Sequence, residues 1–358
     1  MTKTNTANTL AACQALDQED PLRSLRELFQ MPESVIYLDG NSLGVLPKAT
    51  PARVAAAVTK EWGQDLIQSW NSAGWFQMPL QVGNKIARLI GAKDDEVVAA
   101  DSTSINLYKV LSAALSIAQA DHPEKKVILS ELTNFPTDLY IAEALCKERG
   151  FSLELVEAEA LQTALQQDVA VLMLTHVNYR TGAMLNMKAM TASAHSVGAL
   201  TVWDLAHSAG AVPLDLNGSQ ADFAVGCGYK YLNGGPGAPA FVWVHPKHTD
   251  RFWQPLSGWW GHAAPFEFTP DYKPAAGISR YQCGTQPVLS LTALDTALDV
   301  FLEVEKLGGM QALRKKSLAL TGLFMNLVQA ELAGHGFGIA TPHEENLRGS
   351  QISLTRSE

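Results

Sequence analysis

Cysteine is scarce in this chain of 358 residues: there are four, at positions 13, 146, 227 and 283, and no two stand in a CxxC spacing. That argues against a disulfide framework and a thiolate metal centre, and it points to a reducing, cytoplasmic setting. Long apolar runs are also missing, and nothing approaches the roughly 18 consecutive apolar residues of a membrane span. The first ten residues are polar, without the apolar stretch of a secretory leader. Basic charge is in deficit, 27 Lys and Arg against 36 Asp and Glu, a net charge of −9. A nucleic acid or an anionic membrane is therefore a poor main partner. No GxGxxG or GxxxxGK[ST] pattern is found, so nucleotide binding has little support. The nine histidines are too scattered for a metal site, and none is expected. There is no internal repeat and no low-complexity stretch.

What is present is apolar bulk in a regular order. Apolar residues make up 47% and charged residues 18%, enough for a large core and incompatible with a disordered chain. Residues 1–35 read as a polar arm with one helix near 21–29, followed by a short strand at 35–38 and a turn at Asp39-Gly40-Asn41-Ser42. Helices are expected at 52–66 and 80–90. From there strands at 97–100, 126–130, 151–156, 169–174, 200–203, 223–225 and 240–245 are interleaved with helices at 104–120, 136–149, 158–167 and 187–197. Strands separated by helical segments require crossovers, hence a mostly parallel α/β sheet of seven strands with helices on both faces. The style changes near 286: two long helices, 289–305 and 310–332, precede one strand at 350–354. The expected organisation is an N-terminal arm (1–50), a large α/β domain (51–286) and a smaller C-terminal α+β domain (287–358). Two helices and one strand are thin for a domain, so a shortened C-terminus is expected.

In an open parallel sheet, ligands gather at the carboxyl ends of the strands. Four such ends carry useful residues. Asp101-Ser102-Thr103-Ser104 opens a helix, and reads either as an ordinary cap or as an anion cradle. Asn134-Phe135-Pro136-Thr137-Asp138 lies between the next strand and its helix, and reads equally as a loop with proline at the helix start. Asp204 closes an apolar strand ahead of His207; it is a capping residue or a carboxylate held against a protonated ring nitrogen. Lys230 stands between Tyr229 and Tyr231 in a glycine-rich segment; it is a solvated loop lysine or a shielded, nucleophilic amine. The combination outweighs its parts. A phosphate cradle, an acid and a lysine on successive strand ends suit pyridoxal 5′-phosphate (PLP), whose aldehyde, ring nitrogen and phosphate need those three partners.

The segments Tyr37-Leu38-Asp39-Gly40-Asn41-Ser42-Leu43-Gly44, Phe135-Pro136-Thr137-Asp138, Asp204-Leu205-Ala206-His207, Tyr229-Lys230-Tyr231-Leu232-Asn233 and Gly258-Trp259-Trp260-Gly261-His262 carry a further reading. With them the chain resembles, over nearly its whole length, the kynureninases, fold-type I PLP enzymes of the class V aminotransferase group. The resemblance implies hydrolysis of L-kynurenine to anthranilate and L-alanine, or of 3-hydroxykynurenine to 3-hydroxyanthranilate, in tryptophan catabolism. It implies Lys230 as the covalent cofactor anchor, Asp204 on the ring nitrogen, His207 beside the cofactor, Phe135 stacked on the ring and Asp138 supporting it. Thr103, Ser104 and Tyr229 would hold the phosphate. Trp259 and Thr285 match further phosphate-contacting positions that reach across a homodimer interface, and Thr175 matches a small hydroxyl residue close to the cofactor. Tyr229 is the candidate acid–base group at the substrate carbonyl. Trp70, Asn71 and His262 are candidates for substrate contact, against a blander reading of the aromatics as core or interface.

The resemblance also implies an arginine that forks onto the substrate α-carboxylate from the C-terminal part. Arg348 and Arg356 are the last arginines here and neither stands in the matching context, so weak or absent turnover of this exact chain is expected. The competing readings are a cysteine desulfurase or selenocysteine lyase, which would need a nucleophilic cysteine, and a non-catalytic PLP-binding scaffold.

Overall fold

The computed structural model describes residues 9–357. Seven strands form the main sheet: β1 (Val97–Ala99), β2 (Val127–Glu131), β3 (Ser152–Val156), β4 (Val169–Thr175), β5 (Leu200–Asp204), β6 (Phe223–Gly226) and β7 (Phe241–Val244). Their order is β1-β7-β6-β5-β4-β2-β3. The pairs joining β3, β2, β4, β5 and β6 are parallel. Only β7 runs against its neighbours β6 and β1, which leaves β1 pointing the same way as β6. A second, two-stranded antiparallel sheet pairs β8 (Phe337–Ile339) with β9 (Leu354–Arg356).

The longer helices are α1 (Leu10–Glu19), α2 (Thr50–Ala56), α3 (Met78–Ile90), α4 (Thr103–Asp121), α5 (Pro136–Arg149), α6 (Met187–Ser196), α7 (Val288–Lys306) and α8 (Gly309–Glu331). They cover the sheet on two faces. Val82, Ile86 and Ile90 of α3 and Leu291, Leu294 and Leu298 of α7 pack with Leu172, Leu174 and Trp243. On the other face Leu107, Leu111 and Leu115 of α4 and Leu145 of α5 pack with Ile128, Val171 and Met173. Alternate residues of β4 thus feed opposite cores, which is why its apolar run is continuous. Each fully buried leucine or isoleucine contributes about 1.5–3 kcal/mol.

Local chemistry sets the helix ends. Pro136 fits the first turn of α5, where no amide donor is needed. Gly150, at φ 71°, stops that helix in a left-handed turn.

Several expected elements differ. Residues 35–38 form no strand: Ile36 is 89% and Leu38 77% exposed, and the Tyr37 hydroxyl donates to the Leu43 carbonyl at 2.7 Å, within its own loop. The arm has an unanticipated helix, α1, capped by the Thr9 hydroxyl, which accepts from the Ala12 amide at 3.2 Å; the anticipated one is a 3-10 turn at Arg23–Leu28. The helix expected at 52–66 turns π-helical over Ala57–Trp62. The strand expected at 350–354 begins at Leu354, because Ser350 and Gln351 commit their side chains to Ala211, Tyr179 and His207 on the large sheet's side.

Candidate active site

The polar residues picked out at strand ends converge. β5 closes on Asp204, beside Thr175 at the close of β4. Four residues beyond β6 stands Lys230. Asp138 lies in the first turn of α5, directly after β2, and Thr103 opens α4 after β1. A cavity of about 140 Å³ is lined by Thr103, Ser104, Phe135, Asp138, Thr175, Asp204, His207, Tyr229 and Lys230, together with Ser102, Thr137, Tyr179 and Ala206. β1, β2, β4, β5 and β6 all deliver their carboxyl ends here, the arrangement an open parallel sheet provides.

Electrostatics inside the cavity are unusual. Asp138 and Asp204 are both buried. Burial pushes the Asp138 carboxyl well above the ordinary range, and the neighbouring Asp204 adds to it. Burial likewise raises Asp204, while the Ala206 amide, donating to Oδ1 at 2.8 Å, and the Lys230 charge oppose the rise. With both acids ionised, Asp138 Oδ2 is buried without a hydrogen-bond partner among the described residues. A single proton shared between the acids relieves this, and so does an external donor.

The Lys230 Nζ lies 2.9 Å from His207 Nε2, 6.0 Å from the centre of the Phe135 ring and 5.6 Å from that of Tyr229. His207 Nδ1 lies 2.8 Å from Gln351 Oε1. Burial, and then the Lys230 charge, push the His207 ring down to about 4, so it is neutral at pH 7. The Tyr229 hydroxyl is raised by burial first and stays protonated. Thr175 donates to Asn134 Oδ1, which also accepts from the Phe135 amide at 2.6 Å and so secures the Phe135 backbone at the cavity wall, where its ring packs edge-on against Tyr179.

Phosphate would meet the start of α4, a helix of 19 residues. The Ser102 hydroxyl is spent as the cap on the Ile105 amide, leaving the Thr103 and Ser104 hydroxyls and the first-turn amides to face an anion. Asp101 holds a left-handed φ of 49° at this point; the fully buried Lys109 ammonium pins it at 2.5 Å and also donates to the Tyr281 carbonyl at 2.6 Å.

These residues fit pyridoxal 5′-phosphate. The partnerless oxygen of Asp138 and the burial-stressed Asp204 call for a cationic or donating ring, the helix start for a phosphate, and Lys230 for a carbonyl carbon.

Five other sequence candidates lie away from this cavity in the same chain. Trp70 packs edge-on against Trp75 and Trp260. Trp259 packs on Trp260 and Phe266. Asn71 and Thr285 are exposed. The His262 ring is committed to its own loop, with Nδ1 accepting from the Ala264 amide at 2.8 Å and Nε2 lying 3.1 Å from the Asp271 carbonyl. Arg348 turns its guanidinium to the His343 carbonyl rather than to the cavity. Conversely, Tyr179 and Gln351 were not anticipated. Tyr179 sits in the loop after β4 with no spacing to mark it, and Gln351 was hidden inside an expected strand. The Cys227 thiol is buried and pushed up to about 11 by that burial, which makes it inert as a nucleophile.

Comparison with known proteins completes the picture. The family model "Aminotransferase class-V" matches residues 68–346. A kynureninase of Pseudomonas fluorescens is 55% identical over 349 residues, covering 97% of this chain and 83% of that protein. A kynureninase of Burkholderia mallei (strain SAVP1) is 53% identical over 343 residues, 95% of this chain and 82% of that protein. Among solved structures, a cysteine desulfurase from Thermococcus onnurineus NA1 superposes with a TM-score of 0.75 at 20% identity, covering 93% and 81% of the two chains. A C-DES mutant with glycine covalently linked to its PLP cofactor gives 0.78 at 17% identity, covering 92% and 86%. At such identities the structural matches establish the fold alone, the fold-type I architecture of PLP enzymes. The chain belongs to the class-V aminotransferase family and, within it, to the kynureninases.

Proposed function

We propose that the chain is a PLP-dependent hydrolase that splits the Cβ–Cγ bond of L-kynurenine, or of its 3-hydroxy derivative, into the anthranilate and L-alanine. The observation that carries this reading is one cavity in which two buried acids, Asp138 and Asp204, face the amine of Lys230 beside a helix start able to take a phosphate. PLP supplies, when bound, an electron sink for bonds around the α-carbon of an amino acid. The protein's own groups do the rest. Asp204 holds a proton on the ring nitrogen, with Asp138 beside it. Thr103, Ser104 and the first-turn amides of α4 hold the phosphate. Phe135 covers one side and excludes water. Lys230, the point of covalent attachment, carries protons to and from the substrate carbon. Tyr229 keeps its phenolic proton at neutral pH and donates it toward the substrate's γ-carbonyl oxygen.

The working unit is proposed to be a cytoplasmic homodimer. Leu66, Ile67 and Phe268 are exposed at 59%, 75% and 78%, alongside Ile36 and Leu38, and surface of this kind is commonly covered by a partner. Trp259 and Thr285 would then serve the partner's cavity, and Trp70, Asn71 and His262 would border the substrate's ring. Among the described residues, no helix is long and apolar enough to cross a membrane. Residues 1–50 and 287–358 are taken as a smaller unit against the large domain 51–286, a division supported by the ion pair of Asp20 with Lys316.

The decisive experiment adds PLP and L-kynurenine to the purified protein and follows anthranilate emission. Borohydride reduction and peptide mapping should place the cofactor on Lys230. A label elsewhere, or sulfide and alanine released from cysteine with no anthranilate from kynurenine, overturns the reading.

A further inference from the structure

The side chain of Gln351 comes from a segment more than a hundred residues beyond the cavity's other walls, yet it touches the ring that touches Lys230. Its Nε2 donates to the Tyr179 carbonyl at 2.8 Å. A carbonyl oxygen can only accept, so the amide is fixed in one orientation and its Oε1 must face the His207 Nδ1, 2.8 Å away. Because Oε1 can only accept, Nδ1 carries the ring proton. The other nitrogen, Nε2, is then bare, and it faces the Lys230 Nζ at 2.9 Å as an acceptor. The reverse tautomer would leave Oε1 facing a bare Nδ1 and set an N–H against the lysine's own N–H groups.

We propose that Gln351 is a positioning residue for the reaction: by holding the proton of His207 on Nδ1, it makes the imidazole an acceptor that aims the Lys230 amine into the cavity. The proposal rests on the reading of Lys230 as the cofactor's attachment point. It also explains why the backbone around Gln351 is secured so heavily. Arg314 donates to the carbonyls of Glu345, Arg348 and Gly349. The Ser350 hydroxyl donates to the Ala211 carbonyl at 2.9 Å, and the Gly349 amide to the Gly182 carbonyl at 2.8 Å. The side chain is thereby delivered to one place, as an orienting contact needs.

The test uses the full chain labelled with ¹⁵N-histidine, with and without PLP, and His207 assigned by comparison with His207→Asn. The wild-type protein should show a neutral His207 protonated on Nδ1. Gln351→Met, which removes both amide bonds at similar volume, should shift the proton to Nε2 or average the two forms. It should also lower kcat by about ten- to a hundredfold with KM changed much less. Gln351→Glu retains an acceptor toward Nδ1 and should retain the wild-type tautomer. A wild-type ring protonated on Nε2, or a Gln351→Met spectrum identical to wild type, overturns the proposal. If Gln351→Met does not fold, the wild-type and Gln351→Glu spectra decide the matter. Borohydride mapping of the wild-type protein separates this from the underlying reading. A label absent from Lys230 defeats the cofactor assignment whatever the tautomer, and a correct label with the wrong tautomer defeats only the role of Gln351.

Discussion

The two buried acids concentrate the cost of the site in a pair of side chains. Both carboxyls are pushed up in the folded chain, by burial in each case and by Asp204 in the case of Asp138. For a carboxyl raised on folding, the associated stability is complete below the unfolded pKa near 4 and is lost as pH rises through the folded value. Asp138→Asn should therefore stabilise the cofactor-free protein by about 1–2 kcal/mol at pH 8, with a smaller gain at pH 5, while weakening PLP binding. Urea unfolding at the two pH values checks this; an equal effect at both would show that the acids do not compete. Tyr229→Phe should slow anthranilate release by about a hundredfold or more and leave the PLP dissociation constant nearly unchanged. A rate within twofold of wild type removes the proton-donor role. At this scale the sequence was informative where a polar group closes an apolar strand, as with Asp204, or lies among glycines, as with Lys230. It was silent on the pairing of Asp138 with Asp204, which depends on β4 alone separating β2 from β5 in the sheet.

Single elements are tied together by a polar node at the opposite, amino-terminal end of the sheet. Asp222, fully buried just before β6, lies 2.7 Å from His195 Nε2 at the end of α6, 2.9 Å from His248 Nε2 and 2.8 Å from Lys247 Nζ. The Thr201 amide of β5 donates to it at 2.9 Å. Burial alone would raise this carboxyl, but the bonds from His195, His248 and Lys247 outweigh it and hold it far below the carboxylate range. Such a group contributes stability above the unfolded pKa near 4 that is lost as pH falls. Asp222→Asn should cost about 3 kcal/mol at pH 7, a penalty that narrows below pH 4, with the cofactor spectrum preserved because the node is remote from the cavity. Thermal unfolding at both pH values measures it, and a constant penalty would show that charge plays no part. Helix limits were legible at this scale, since Pro136 and Gly150 mark both ends of α5. The segment 35–38 misled because a short apolar run of β-branched and aromatic residues, Val35-Ile36-Tyr37-Leu38, imitates a strand, while nothing in a local pattern says whether a neighbouring strand exists to pair with it.

The whole molecule exposes more apolar surface than its own core requires. Ile36, Leu38, Ile67 and Phe268 stand in water, while Trp259 and Thr285 lie outside the cavity of their own chain. Sedimentation should give twice the chain mass of 38.7 kDa. Ile36→Asp with Ile67→Asp should yield a monomer with turnover reduced at least tenfold, since charges in an apolar contact are costly to bury. A fully active monomer at nanomolar concentration removes the shared-site proposal. Alternating strands and helices announced the α/β architecture and the seven-stranded sheet, because a crossover connection forces parallel pairing. They could not announce how the chain's distant end returns, because Gln351 meets His207 through packing between segments 144 residues apart.

The loop at residue 44 lies outside the cavity, yet it presses directly on the backbone that carries Lys230. The Gly44 amide donates to the Tyr229 carbonyl at 2.8 Å, and a methyl added at residue 44 would come within 2.3 Å of the Lys230 carbonyl oxygen and 2.7 Å of the Asn233 Cα. An irregular, outwardly dispensable stretch of the arm is therefore a mould for the lysine turn. In a saturation library selected for growth that requires the reaction, with kynurenine supplied and its product withheld, this position should tolerate no more variety than the acids themselves, and trimming the arm should mimic loss of Lys230.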